Sequence, residues 1–512
     1  MQFRIVLNIP NMLNKFKSTI GLEIHAELKT KTKMFCACLN DSDEKHPNIN
    51  VCPICMGHPG TLPVPNKKAV ESVILTGKSL NCEMAEIIQF DRKNYFYPDL
   101  PKGYQISQFW KPLCQNGFFE IGGKKIRIKE IHIEEDTGRL YHPQNVDYSL
   151  VDFNRAGAPL MELVTEPDIS SGAEAKKFCE EIQLIFRYLG ISDADMEKGQ
   201  MRCEVNISLS KNKKLGTKAE IKNLNSFKAV EKSINYEIER QAEILEKGEK
   251  IAQETRGWDA DKQKTFSQRA KETAKDYRYF PEPDIPLSKI SNLPPKADQP
   301  RADKSRISNL PELPQKRRKR FALEYGLPEE NIEIFVVNKE LGDYFEQVIS
   351  EIQAWDKNAH KVRIENLSEH TARLIKLSAN YLITELQKLA REFGIEDYGE
   401  IKISPENFAE LIILTHKGDI SSSGAQEVLR EMVKTGNDPS QIIEERGMGQ
   451  ESDIEALTEI VKTVIKNNFK AVEDYKKKQG ASLQFLIGQV MRETKGKANP
   501  QIAADLLKEI IG

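Results

Sequence analysis

Four cysteines within a short span restrict what this chain can fold into more than any other feature. Cys36-Ala-Cys38 is followed after thirteen residues by Cys52-Pro-Ile-Cys55, and the other four cysteines are scattered. Two close thiolate pairs joined by a loop can close a tetrahedral zinc site, and four cysteine ligands leave no coordination position open. The spacing predicts a structural zinc site at Cys36, Cys38, Cys52 and Cys55. Four reduced thiols without metal are the alternative.

The length of the chain predicts several domains. Its 512 residues exceed the size of a single hydrophobic core, so we expect about two to four domains. The pattern up to about residue 225 is of short alternating segments with helices between them, which is typical of an α+β domain. A segment rich in Pro, Asp and Lys at 281–314 predicts a linker, and the remainder is helical.

Two helices have clear end signals. Ser171 and Glu174 form a predicted capping box, and Gly190 stands where a left-handed C-terminal cap is expected. Further along, Ser404 precedes Pro405 at the start of a second predicted helix, which ends near residue 418. We therefore expect a second domain boundary near Ser404.

The N-terminal residues and the hydropathy of the chain predict where in the cell the protein is found. No apolar run reaches the length of about 18 residues that a spanning helix needs, and no secretory signal precedes the first strand. We therefore expect a cytoplasmic protein without membrane contact. Because Arg4, Lys15 and Lys17 precede the first acidic residue, Glu23, a mitochondrial transit peptide is the alternative. A further alternative is that the stretch is a short N-terminal extension and that translation starts at Met12.

Strict alternation over residues 21–28 predicts a strand with one polar face. The apolar positions would face the core, which leaves Glu23, His25 and Glu27 on the opposite face. Carboxylates beside an imidazole suit Mg²⁺ and bound phosphates, because hard cations prefer oxygen ligands. An ordinary solvated sheet face is the alternative.

A second strand repeats this arrangement. In residues 131–134, His132 and Glu134 share one face, and Glu135 follows at the strand end. Apolar residues alternate with polar ones up to Ile128 and again from Ile131, but the two runs are out of step by one residue. This break in the alternation predicts a β-bulge near Glu130.

The segment 201–222 predicts a hairpin with a polar face. Its first strand presents Arg202 and Glu204, and its second presents Lys218, Glu220 and Lys222. The whole chain carries a net charge of only -2, so nucleic acid would have to be bound by local basic patches. This hairpin is a candidate for binding phosphates of ATP or tRNA, with solvated charges as the alternative. The chain has no glycine-rich phosphate loop of known pattern.

Several long blocks of sequence resemble one protein family. They read GLEIHAEL from residue 21, FDRKNYFYPDLPKGYQISQ from 90, IHIEED from 131, VDFNRAGAPLMELVTEPD from 151, KAEIKNLNSF from 218, DYRYFPEPD from 276 and KGKANP from 495. In this order they resemble the B subunit of the tRNA-dependent amidotransferases, the GatB/GatE family. There is no large insertion like that of the archaeal GatE relatives.

The resemblance implies a three-part organisation. A cradle domain with an antiparallel sheet (1–294) would bind ATP, Mg²⁺ and the acceptor end of tRNA. A helical domain (295–403) would follow, and then an all-α YqeY-like tail (404–512) that binds the tRNA body. Some family members carry the cysteine-rich zinc knuckle, and all four of its cysteines are present here.

The resemblance also implies a function. The chain would be the tRNA-binding and carboxylate-activating component of a heterotrimer that converts misacylated Glu-tRNA(Gln), Asp-tRNA(Asn) or both. ATP would turn the aminoacyl carboxylate into an acyl phosphate. Ammonia would come from glutamine hydrolysed by the glutaminase (A) subunit, and the small C subunit would be the third component. A tRNA-binding scaffold without a catalytic site is the alternative.

Site residues follow from matching the family blocks. The resemblance assigns Glu23, His25, Glu134 and Glu135 to the Mg²⁺-ATP site. Weaker candidates for contacts with ATP or its phosphates are Glu162, Arg202, Glu204, Lys218 and Lys222.

Overall fold

The computed structural model divides into two compact units, Met1–Pro314 and Gln315–Gly512. It describes residues 15–41, 43–212, 214–270, 277–290, 310–360, 369–395, 397–447, 454–476, 481–494, 498 and 500–512. Three features predicted from the sequence lie outside these residues, namely the start at Met12, the boundary near Pro294 and nearly all of the block from Lys495.

The first unit combines a large sheet, three small sheets and helices. Its strands are β1 (Lys17–Glu27), β2 (Glu83–Met84), β3 (Ile87–Ile88), β4 (Asp91–Asn94), β5 (Tyr104–Ser107), β6 (Cys114–Ile121), β7 (Lys124–Glu135), β8 (Arg139–Tyr141), β9 (Leu150–Asp152), β10 (Pro159–Thr165), β11 (Met201–Ser210), β12 (Ala219–Leu224), β13 (Glu254–Asp259), β14 (Lys264–Ala270), β15 (Phe280–Pro281) and β16 (Ser288–Lys289). Its helices are α1 (Lys67–Ser79), α2 (Gly172–Tyr188) and α3 (Phe227–Glu246).

The large sheet has nine strands in the order β14-β13-β12-β11-β1-β10-β7-β6-β2. Neighbouring strands are antiparallel except β12 and β13, which are parallel. The alternation predicted for β1 is confirmed, because Ile20, Leu22 and Ile24 are fully buried in the core. The predicted hairpin of β11 and β12 is also confirmed.

The register of the central strands brings the polar positions into line. Across β1 and β10, His25 is paired with Glu162, and across β10 and β7, Glu162 is paired with His132. On the other side of β1, Glu23 is paired with Glu204. The predicted bulge near Glu130 is confirmed by a register shift between β10 and β7 at that point.

Helix α2 supplies part of the core and largely matches its predicted end signals. Ser171 accepts a hydrogen bond from the backbone N–H of Glu174, and Gly190 has a positive φ of 63°. The reciprocal half of the capping box is wrong, since the Glu174 carboxylate accepts from Ser170 instead of from the cap residue. Cys179 on this helix is fully buried, as a core residue should be.

The second unit is helical. Its helices are α4 (Pro314–Tyr325), α5 (Glu329–Val337), α6 (Lys339–His360), α7 (Glu369–Asn380), a π-helical segment (Tyr381–Leu386), α8 (Gln387–Phe393), a 3₁₀ turn (Tyr398–Glu400), α9 (Pro405–Lys417), α10 (Ser422–Thr435), α11 (Pro439–Arg446), α12 (Ile454–Asn467), α13 (Phe469–Lys476), α14 (Ala481–Glu493) and α15 (Pro500–Ile511). The predicted start and end of α9 are confirmed, because Ser404 caps it and Gly418 has a φ of 80°.

Two groups of helices can be distinguished within this unit. The hydroxyl of Tyr344 on α6 donates to the backbone oxygen of Ile403, and its ring packs edge-on against Phe408 of α9. Helix α9 therefore packs on the helices that precede it. Helices α12 to α15 form a hydrophobic cluster of their own, with Val461, Leu486 and Leu507 at its centre.

The expected class is confirmed: the chain is mixed α and β with a large, mainly antiparallel sheet, followed by helices. In the ranges that the structure describes, no helix combines the length and apolar character needed to cross a bilayer.

Candidate functional site

The polar face of the large sheet forms the floor of a cleft of about 330 Å³. Strands β1, β7, β10, β11, β12 and β13 supply this floor, and side chains from other segments complete the walls. The lining residues are Glu23, His25, Lys93, Ser107, Gln108, Phe109, Glu130, His132, Glu162, Glu204, Glu220, Lys222, Thr255, Tyr277 and Tyr279. Such a concentration of charge in a cleft indicates a functional site.

Two histidines share one carboxylate at the centre of the cleft. Nε2 of His25 lies 3.3 Å and Nε2 of His132 lies 3.1 Å from Oε2 of Glu162. Burial disfavours the imidazolium of His25, but the carboxylates of Glu162, Glu204 and Glu134 together outweigh burial and raise its pKa to about 9. The pKa of His132 is raised for the same reasons. Burial alone would raise the pKa of Glu162, yet the two imidazoles hold it well below its usual range.

Glu134 completes this first cluster. Its Oε1 lies 3.8 Å from Nε2 of His25, and its Oε2 accepts a hydrogen bond of 3.4 Å from the hydroxyl of Ser107. The ligand atoms of His25, Glu134 and Glu162 lie within 4.8 Å of one another, close enough to share a metal ion. One nitrogen and two oxygens can bind a divalent cation once Nε2 of His25 has lost its proton.

A second cluster consists of oxygen ligands alone. Carboxylate oxygens of Glu23, Glu204 and Glu220 lie within 4.8 Å of one another. Nζ of Lys222 lies 2.8 Å from Glu204, and Asn206 donates a 2.6 Å hydrogen bond to Glu23. Burial raises the pKa of Glu23, and the neighbouring carboxylates add to this effect. An oxygen-only set with like-charge repulsion fits a hard divalent cation such as Mg²⁺.

Lys93 on β4 is a cleft residue that the sequence analysis missed. Burial favours its neutral form, but the carboxylates of Glu134 and Glu162 keep its pKa above the ordinary value for lysine. Its Nζ lies 5.2 Å from the ring centroid of Tyr277. The residue belongs to the family-like block at 90–108, which was the only signal in the sequence that could have identified it.

Aromatic side chains form part of the cleft wall. The rings of Phe109 and Tyr279 stack with centroids 4.1 Å apart and planes 12° apart. Trp110 packs edge-on against Phe109 and is 60% exposed. A flat, partly exposed aromatic surface of this kind can stack on a nucleobase.

The four predicted zinc ligands also come together. The Sγ atoms of Cys36, Cys38, Cys52 and Cys55 lie within 4.8 Å of one another, so this cluster can hold a metal ion. A hydrogen bond with the Cys36 thiol lowers the pKa of Cys55 to about 5. Burial raises the pKa of Cys38 to about 11. A thiolate is therefore already favoured at one of the four positions.

Comparison with known proteins agrees with this architecture. Residues 18–293 match the GatB/GatE catalytic domain, and residues 363–511 match the GatB domain. The chain is 44% identical over 507 residues to the B subunit of aspartyl/glutamyl-tRNA(Asn/Gln) amidotransferase from Thermotoga petrophila, covering 97% of this chain and 99% of that protein.

The chain belongs to the GatB family of amidotransferase B subunits. Other relatives with the same name are 46% identical over 503 residues (Persephonella marina) and 45% identical over 506 residues (Carboxydothermus hydrogenoformans). Both alignments cover 97% of this chain, and they cover 100% and 99% of the respective relatives. The two matched domains include the large sheet and, at the C-terminus, a YqeY-like domain.

The structure brings most, but not all, of the site residues expected for a GatB protein together. Glu23, His25, Glu134, Glu162, Glu204 and Lys222 surround the cleft. Glu220 and His132, which the sequence analysis identified only as polar strand positions, join them.

Glu135 lies apart from these residues. Successive strand residues point to opposite sides, so Glu135 faces away from Glu134. Its carboxylate pairs with Lys102 and accepts a 2.9 Å hydrogen bond from the backbone N–H of Ile106. It lines a different cavity, of about 180 Å³, together with Cys36 and Cys55.

Arg202 and Lys218 are also not among the residues that line the cleft, although Glu134 and Glu204 help to raise the pKa of Arg202. The guanidinium of Arg202 is paired with Asp136 at 3.1 Å, although its Cα lies opposite that of His25. Burial would raise the pKa of Asp136, but Arg202 and Arg155 lower it. Lys218 is exposed and precedes β12, so it is not among the residues that line the cleft.

Proposed function

We propose that this chain binds misacylated Glu-tRNA(Gln), Asp-tRNA(Asn) or both, and activates the aminoacyl carboxylate with ATP so that ammonia can form the amide. The relatives carry a name that describes this aminoacyl-tRNA amidotransferase activity. One observation carries the proposal. Two carboxylate-rich clusters lie side by side on one sheet face, in a cleft that also contains Lys93 and Lys222.

The chemistry explains why such a cleft would be needed. A free carboxylate does not react with ammonia because its oxygen is a poor leaving group, and phosphorylation to an acyl phosphate supplies a good one. Negative charge spreads over the transferring phosphoryl oxygens in this step. Mg²⁺ held by the carboxylates of the cleft would neutralise that charge. Because the protein must hold cations and donors in place, catalysis here rests on positioning and electrostatics.

The residues of the cleft have separate roles in this proposal. Glu23, Glu204 and Glu220 would hold Mg²⁺ through oxygen ligands, and His25, Glu134 and Glu162 offer a second set of ligands. Lys93 and Lys222 would contact phosphate oxygens. The stacked rings of Phe109 and Tyr279 would bind a base of ATP or of the acceptor end. Glu135 would act outside the cleft, by fixing Lys102 and the strand that contains Ile106.

A tRNA-binding scaffold without chemistry fits the cleft less well. Phosphate binding alone favours lysine and arginine, and repulsion by carboxylates would weaken it. The residues that line the cleft instead include five glutamates and two lysines, Lys93 and Lys222, and Glu134 lies next to them. Such an arrangement suits phosphate that arrives together with a divalent cation.

Partners and domains complete the proposal. Ammonia would come from the glutaminase (A) subunit, which would assemble with this chain and the small C subunit in a cytoplasmic heterotrimer. The domain limits of 1–294, 295–403 and 404–512 remain our proposal, with the tail binding the tRNA body. The four-cysteine cluster would hold a structural Zn²⁺.

The test is conversion of labelled Glu-tRNA(Gln) and Asp-tRNA(Asn) by this chain co-expressed with the glutaminase and the small third partner. We expect amide on at least one tRNA only when ATP, Mg²⁺ and glutamine are all present. An assembled trimer that binds tRNA but forms no amide would favour the scaffold. Amide formation without ATP would contradict carboxylate activation.

A further inference from the structure

Lys33 is a buried lysine whose nearest polar partners among the described residues are two backbone oxygens and a thiol. The residue is only 1% exposed. Its Nζ donates to the backbone oxygens of Asn50 and Phe153, at 2.6 and 3.2 Å, and lies 4.0 Å from Sγ of Cys55. Among the residues that the structure describes, no carboxylate forms an ion pair with it. A buried charge without compensation is costly, so the negative charge that balances Lys33 must come from another group.

The four-cysteine cluster is the group that can supply this charge. Four thiolates outweigh the two positive charges of Zn²⁺, so the metal-bound site is a net anion in a partly buried position. The backbone also ties Lys33 to the cluster, because its N–H donates to the oxygen of Cys38 at 3.0 Å. The ammonium is therefore held beside Cys55 from both ends of the residue.

We propose that Lys33 is the counter-ion of the metal-bound thiolates and tunes the metal affinity of the site without binding the metal itself. The inference rests on the proposed zinc site. It predicts that the positive charge of Lys33 stabilises the zinc-bound chain, with its four thiolates, more than it stabilises the zinc-free chain. Groups that surround metal ligands commonly set affinity in this way.

The experiment compares full-length wild type with Lys33→Met, which keeps the length of the side chain and removes its charge. Exposed Lys31→Met is the matched control. Zinc affinity is measured by competition with a chromophoric chelator, and Tm is measured with zinc and with chelator. We expect Lys33→Met to bind zinc about 10- to 100-fold more weakly. Chelation should lower its Tm less than it lowers that of wild type or Lys31→Met.

These measurements distinguish the role of Lys33 from the existence of the zinc site. Equal zinc affinity and an equal effect of chelation in wild type and Lys33→Met would overturn the role of Lys33 and leave the zinc site intact. A wild-type chain that binds no zinc would overturn both proposals.

A second pair of variants tests the charge balance without a measurement of zinc affinity. Removal of one thiolate by Cys55→Ser leaves Lys33 with less compensating charge. The double variant Cys55→Ser, Lys33→Met should then have a higher Tm than Cys55→Ser alone. A lower Tm for the double variant would contradict the inference.

Discussion

Nε2 of His25 lies 3.3 Å from Oε2 of Glu162, its direct partner across β1 and β10. The same oxygen lies 3.1 Å from His132 on the next strand, so one carboxylate orients two imidazoles. All three side chains are largely buried, which strengthens their electrostatic interaction. The arrangement depends on the register of three strands from distant parts of the chain.

Glu162→Gln should reduce ATP-dependent transamidation by about 100-fold or more, because it removes the charge that orients both imidazoles. Glutamine hydrolysis by the assembled complex should be unaffected. The measurement is the rate of amide formation on misacylated tRNA, with exposed Glu249→Gln as the control. Unchanged transamidation in Glu162→Gln would show that the histidine cluster is not part of the reaction.

Lys93→Met should weaken the use of ATP, since it removes a half-buried ammonium close to the carboxylates of the cleft. We expect kcat/KM for ATP to fall by about 10²-fold, and Lys93→Arg should recover part of this loss. Exposed Lys68→Met is the control. If Lys93→Met and Lys68→Met have the same kcat/KM, Lys93 has no role in phosphate binding.

Glu237 on α3 should make stability depend on pH in the acid range. Its side chain is fully buried and accepts hydrogen bonds from Arg240 at 2.8 Å, while Arg256 lies 3.0 Å away. Burial would raise its pKa, but hydrogen bonds from Arg240 and the charges nearby lower it. Because the pKa of Glu237 is lower in the folded chain, its charge stabilises the fold at pH values above the unfolded pKa of about 4.3. This stabilisation is lost as the pH falls through the folded pKa.

Glu237→Gln should therefore lower the free energy of unfolding by about 3 kcal/mol at pH 7 and by progressively less below about pH 4. Urea unfolding at several pH values measures the difference from wild type. Glu239→Gln, an exposed position on the same helix, should cost little at any pH. If the loss in free energy of unfolding for Glu237→Gln does not change with pH, the Glu237 carboxylate is not charged in the folded chain.

Cys52→Ser should abolish zinc binding, because three thiolates no longer close the site. Metal analysis of the purified chain should give about one zinc per wild-type molecule and none for the variant. Chelation should lower the Tm of wild type and leave that of Cys52→Ser unchanged. Cys82→Ala, at an isolated cysteine, should retain zinc. Retention of zinc by Cys52→Ser would show that the metal is held elsewhere.

The sequence predicted local features well. Alternation identified the polar face with Glu23 and His25, and cysteine spacing identified a cluster that the structure assembles. The ends of α9 followed from Ser404 and Gly418, because helix caps depend on a few adjacent residues. The bulge at Glu130 followed from a shift in apolar phase.

Relationships between distant segments could not be predicted from the sequence. Lys93 reaches the acidic cleft only through the tertiary fold, and no local pattern distinguishes it from a surface lysine. The family resemblance assigns Glu135 to the same site as Glu134, yet adjacent strand residues point to opposite sides, and only the structure shows that Glu135 pairs with Lys102. Glu220 joined the acidic cluster through the register of β11 and β12.

If the cleft on the sheet activates the carboxylate while glutamine is hydrolysed elsewhere, His25→Ala should separate the two activities of the assembled complex. His142→Ala, an exposed histidine, is the control. We predict that His25→Ala forms no acyl phosphate and no amide on misacylated tRNA, while glutaminase activity equals that of the control. Intact transamidation by His25→Ala would show that this cleft does not activate the carboxylate.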